Sequence, residues 1–157
     1  MQGTDIGAFI TSRLGLDANT VGAGFGGAGT EQVGPAFDRT AYTPLHLSGK
    51  LQVSYTATLA SGNTASFVAG VRHCDTSGGS YEDLPSASGV VSITANDDGS
   101  AVRGVLEVDV NLIGAKEFLK ARATPVMSAS GVDRVAFAAI LALGGGEDAA
   151  PATLTAL

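Results

Sequence analysis

The stretch Leu47-Ser48-Gly49-Lys50-Leu51-Gln52-Val53-Ser54-Tyr55-Thr56-Ala57-Thr58-Leu59 decides the fold class. Its larger apolar side chains, Leu47, Leu51, Val53, Tyr55 and Leu59, share one parity with Gly49 and Ala57, while Ser48, Lys50, Gln52, Ser54, Thr56 and Thr58 hold the other. Successive side chains of a strand point to opposite faces, so this period of two predicts a long strand with one buried and one wet face. Ser61-Gly62-Asn63 predicts a turn, after which Phe67, Ala69 and Val71 carry the apolar face back. Thr76 to Ser80 is a second turn. Val91 and Ile93 mark another strand, closed by Asn96-Asp97-Asp98-Gly99, a hairpin signal.

The alternation resumes beyond it. Val102, Leu106, Val108, Val110 and Leu112 are expected to face inward, and Arg103, Glu107, Asp109 and Asn111 outward. Leu119, Ala121 and Ala123 lead to a turn at Ser128-Ala129-Ser130-Gly131. The last strand, Val132 to Leu143, is apolar on both parities and is expected to be covered on both faces. Strands of this kind at short turn spacing predict an all-β protein, an antiparallel β-sandwich of jelly-roll or Ig-like type or a barrel. The sandwich is the reading adopted, with residues 46–145 as its domain and 146–157 as a small-residue tail.

Composition agrees. Of 157 residues, 45% are hydrophobic, 22 are glycine and only 15% are charged, which disfavours a disordered chain and a helical bundle alike. A net charge of −6 without a basic run argues against nucleic-acid binding. The longest apolar run, Val135–Leu143, is far below the roughly 20 residues of a membrane helix, and no secretory signal is visible at the start. The expectation is therefore a soluble protein without nucleic-acid or membrane partners.

Residues 1–45 read as an N-terminal arm. Ile6, Phe9, Ile10, Arg13 and Leu14 recur at helical spacing, with Thr4 or Asp5 as cap, and predict a short helix ending at Gly15. Val21 to Gly34 is a glycine–alanine tract, either flexible or laid against another surface. Ile6, Phe9, Ile10, Leu14, Phe25 and Phe37 are the candidate partner-binding residues, because apolar side chains on such a segment are there to dock.

Candidate chemistry is sparse. Gly22-Ala23-Gly24-Phe25-Gly26-Gly27 matches the spacing of a dinucleotide fingerprint, but Gly34-Pro35 interrupts the helix that motif requires. Cys74 stands alone, which excludes an internal disulfide. His73 beside it points to the opposite face of a strand and is no natural partner for it. Glu107 and Asp109 share a strand face as a glycosidase pair would, without an aromatic platform for a sugar. Asp97 and Asp98 occupy a turn that favours aspartate for backbone reasons and lacks the oxygen spacing of a calcium loop. No catalytic residue, cofactor or metal is expected.

Three segments carry a resemblance. Phe67-Val68-Ala69-Gly70-Val71-Arg72-His73-Cys74-Asp75 leads into Gly79-Ser80-Tyr81-Glu82-Asp83-Leu84. Gly114-Ala115-Lys116-Glu117-Phe118-Leu119-Lys120-Ala121-Arg122 follows, and Val135 to Gly145 closes the series. Together they resemble the capsid-associated structural proteins of tailed-bacteriophage heads over roughly residues 47–145. The departure is Arg72-His73-Cys74, where that family carries a polar or acidic run. The resemblance implies a non-enzymatic decoration or cement protein on the outer capsid surface of the virion. Its partners would be the major capsid protein and copies of itself, expected as a homotrimer. The alternative carried alongside is a carbohydrate-binding or fibre module for host attachment.

Overall fold

The computed structural model describes residues 10–22, 28–41, 45–129 and 131–144. Among these, the strands are β1 (Thr11–Gly22), β2 (Gln32–Val33), β3 (Phe37–Asp38), β4 (Ser48–Thr58), β5 (Thr64–Cys74), β6 (Glu82–Thr94), β7 (Val102–Asn111), β8 (Phe118–Met127) and β9 (Arg134–Gly144). One sheet has the order β1-β9-β4-β7. The other has the order β2-β8-β5-β6, with β3 also on β8. Every pairing is antiparallel. The chain is an all-β, two-layer antiparallel sandwich.

The alternation read from β4 sets the core. Leu51, Val53 and Ala57 are fully buried, whereas Gln52 and Ser54 on the opposite face are exposed. Facing them across the sandwich are Phe67, Ala69 and Val71 of β5 and Leu119, Ala121 and Ala123 of β8. Phe67 is the central knob. Its ring lies 5.8 Å from that of Tyr55 and meets Phe137 edge-on at 5.1 Å, so one side chain of the second sheet ties two strands of the first. Each large apolar side chain buried this way contributes roughly 1.5–3 kcal/mol.

Two glycines are fixed by close approach. A Cβ on Gly104 of β7 would collide with the Tyr55 hydroxyl oxygen. A Cβ on Gly34 would run into the Gly15 carbonyl oxygen, so the segment between β2 and β3 rests directly on β1. The Gly34 N–H also donates to the Ala121 carbonyl at 2.9 Å. The described part of the glycine–alanine tract is thus laid against a surface, and that surface is the sandwich itself.

Three expectations are corrected. Ile10 to Leu14 do not end a helix: β1 begins at Thr11 and pairs along β9 to Gly22. Ile10 and Leu14 precede the register shifts of β1, which fall between Leu14 and Leu16 and between Leu16 and Asn19; four residues apart, they share one face of a strand as readily as one face of a helix. Residues 11–22, read as arm, are accordingly a strand of the first sheet. Second, β9 is covered on one face only. Val135, Phe137, Ala139, Leu141 and Leu143 are buried, while Ile140 is 51% and Val132 64% exposed. The outward parity is mostly alanine, too small to demand a cover. Third, Asn96–Gly99 does turn the chain, with Gly99 at φ 70° and the Asp98 carboxylate accepting from the Ser100 N–H at 2.9 Å. It is no hairpin, because β6 and β7 lie in different sheets. Turn chemistry fixes a local reversal; the apolar faces decide which strands pair. The tail at 146–157, together with Ile6, Phe9 and Phe25, lies outside the described residues.

Candidate interaction surface

The outer face of the first sheet combines small side chains with an apolar ridge. Leu14 of β1 sits directly across from Ile140 of β9, and each is 51% exposed. Ile10, 49% exposed, precedes them, and Val105 of β7 stands out at the other end of the sheet. Between these positions Ala136, Ala138, Ser54 and Thr56 keep the surface low. A shallow depression of about 310 Å³ is lined by Ala18, Asn19, Thr20, Ser54, Tyr55, Thr56, Ala136, Phe137 and Ala138. A flat field of Ala, Ser and Thr lets another backbone come close, and the Leu14–Ile140 ridge supplies apolar area to bury. Ile10 and Leu14 therefore lie on an exposed surface. Phe37 does not: it pairs with Leu119 and packs against the core.

Glu107 and Asp109 are on this face as expected, but they are tied up. Lys50 Nζ lies 3.1 Å from Glu107 and 3.3 Å from Asp109. Gln52 Nε2 donates to Glu107 at 2.7 Å. These bonds, that from Gln52 first and that from Lys50 next, hold the Glu107 carboxyl below its ordinary range, and the two acids raise Lys50 in turn. Lys50 thus bridges the two carboxylates in an exposed ion-pair network on this face.

The second sheet carries two clusters of paired charges. Arg72 and Arg122 share Glu31 and Asp83: Arg72 Nε is 3.0 Å and Arg122 Nε 2.9 Å from Asp83, and both guanidinium groups also reach Glu31. The hydrogen bond from Arg72 foremost holds Asp83 below its ordinary value. Glu31, just before β2, fastens that segment over β8. In the second cluster, Lys116 Nζ lies 2.7 Å from Glu82 and 3.3 Å from Asp75, and His73 Nδ1 accepts the Lys116 main-chain N–H at 3.1 Å. His73 and Cys74 are both buried, and no base–nucleophile pair forms between them. Among the described residues there is no group of three or more His, Cys, Asp or Glu placed to hold a metal.

Two buried polar residues act as fasteners. The Asp133 carboxylate, with no exposed surface, accepts from the Ala60 N–H at 2.8 Å and from Asn63 Nδ2 at 3.2 Å, locking the β4–β5 turn to the start of β9. Arg39 reaches the Leu112 carbonyl through Nη1, and its main-chain N–H donates to Glu117 at 3.0 Å. Burial lowers its affinity for the proton. Sequence reading missed both clusters and both fasteners, because their members are scattered along the chain; the one local signal was Arg72-His73-Cys74, the departure from the phage pattern.

No family model matches the chain, and no curated protein does. Among solved structures it is similar to a chain of Desmodium yellow mottle tymovirus, with 8% identity and a TM-score of 0.30 over 87% of each chain. At that level the likeness assigns no role.

Proposed function

We propose that this chain is a structural, non-enzymatic component of a virus particle, a decoration or cement protein that lies on the outer surface of a tailed-phage head and binds the major capsid protein. The observation that carries the reading is the outer face of the first sheet, where Ile10, Leu14 and Ile140 stand out of a field of Ala, Ser and Thr. Such a face suits burial against a broad protein surface rather than capture of a small molecule. The resemblance of residues 47–145 to phage head proteins supports the same role. Repetition on a lattice lets contacts of modest strength hold firmly, because each added contact raises the effective concentration of the next.

The test is co-sedimentation of the purified chain with heads that lack it. Leu14→Asp and Ile140→Asp, both at exposed positions, should leave the fold intact and weaken capture by about tenfold or more. Normal capture of both variants would remove this face from the attachment.

A further inference from the structure

β7 ends the first sheet, and among the described residues it pairs only with β4. The strand at the other end, β1, is interrupted by two register shifts, a device that blunts an edge. β7 has none: it runs in unbroken register from Val102 against Ala57 to Asn111 against Ser48, and it contains no proline. Its outward main-chain groups therefore form a regular row. Charge on an edge ordinarily discourages pairing, so the arrangement of charge along β7 decides what this edge can accept.

The charges are segregated. Arg103 lies near the N-terminal end, Glu107 and Asp109, which Lys50 of β4 bridges without covering either, lie toward the C-terminal end, and Val105, 56% exposed, stands between them on the same face. We propose that β7 pairs antiparallel with β7 of a second copy about a two-fold axis at Val105, joining the two four-stranded layers into one continuous sheet. That register sets Val105 against Val105 of the second copy and Arg103 against Glu107 of the second copy, twice by symmetry, with the second copy's Asp109 as the diagonal neighbour. All these groups stay on the solvent face, so no charge is buried. An axis at Glu107 would set that carboxylate against itself, and an axis at Gly104 would lose the charge pairs. A parallel arrangement in register would stack like on like. On the inner face the same register brings Gly104 against Leu106, the most exposed of the core residues at 9%. The contact is two-fold, unlike the threefold association expected from the sequence, and it does not depend on the proposed role on a capsid.

Val105→Cys tests the register, since directly opposed strand residues have Cβ atoms about 4.5–5.5 Å apart, within a small shift of disulfide geometry. The native Cys74 is buried. Under mild oxidant this variant should run as a covalent dimer on a non-reducing gel. Light scattering of the unmodified chain should give twice its 15.6 kDa mass. Arg103→Glu should raise the dimer dissociation constant about tenfold or more, and adding Glu107→Arg should restore it, a rescue that a merely structural effect would not produce. A Val105→Cys chain that stays uncrosslinked overturns the proposal, as does association indifferent to Arg103→Glu. Cross-linking of the Val105→Cys chain only to a shell protein on particles would also overturn it, in favour of a shell strand on this edge.

Discussion

Replacing Phe67 by alanine removes the side chain that joins the two layers of the sandwich. Phe67 has no exposed surface and contacts Tyr55 and Phe137 of the opposite sheet. A buried Phe→Ala change costs about 3–5 kcal/mol, the spread reflecting how far the surroundings collapse. Here the walls are paired strands on both sides, which relax little, and an edge-on ring contact worth roughly 0.5–1.5 kcal/mol is lost as well. The cost should therefore fall in the upper part of that range, a large share of the roughly 5–15 kcal/mol typical of a domain. Urea unfolding followed by circular dichroism measures it as a shift in midpoint at unchanged slope. Phe67→Leu should cost about 1–1.5 kcal/mol, and Ser54→Ala on the exposed face about 0.5 kcal/mol or less. In a double-mutant cycle, Phe67 and Phe137 should couple by about 0.5 kcal/mol or more. Equal tolerance at Phe67 and Ser54 would refute the inward parity of β5 and with it the assignment of faces.

Deleting residues 1–22 should leave a chain that does not fold to a soluble monomer, since it removes buried Leu16 and Val21 and strips β9 of one of its two partner strands; a cooperative unfolding transition in that truncation would contradict the integration of β1. Gly34→Ala should cost about 1–3 kcal/mol because the new methyl meets the Gly15 carbonyl, whereas Gly78→Ala, with open space around it, should be near neutral; thermal melts distinguish the two. Burial first, and the nearby Arg13 charge second, lower the His46 pKa below its ordinary 6.5. The unfolded chain therefore takes up this proton before the folded one. Stability should be unaffected above pH 6.5 and fall as the pH drops below it, with His46→Gln flattening that slope. The carboxylates Glu82 and Asp83, held low by Lys116 and Arg72, enter only below their ordinary values.

The legible strands were those whose alternation is uninterrupted. β4 and β7 could be read because one face of each is buried and the other wet, and β5 because Phe67, Ala69 and Val71 fall on one parity; the inward residues of all three are those named from parity alone. β1 was illegible for the opposite reason: its bulges at Leu14–Leu16 and Leu16–Asn19 shift the inward parity twice within a dozen residues. β2 and β3, two residues each, leave no periodicity; what holds them is their pairing with β8, the Gly34–Gly15 contact, the bonds to Ala121 and Glu117 and the Glu31 ion pairs, all with residues distant in sequence. The exposed ridge was half visible. Ile10 and Leu14 stood out in the sequence, but Ile140 was hidden in a strand apolar on both parities, and register alone brings it beside Leu14. The charge clusters around Asp83 and Lys116 draw on residues 31, 72, 83 and 122 and on 73, 75, 82 and 116, separations that no local pattern encodes.

The proposed place on a capsid surface is tested most directly by counting copies per particle. Quantitative mass spectrometry of purified virions carrying this chain, normalised to the major capsid protein, gives that number. A decoration or cement protein should be present in hundreds of copies, in a fixed ratio to the shell subunit, and should be lost from the particle surface without loss of the shell itself. A dozen copies or fewer, or none, would contradict the account.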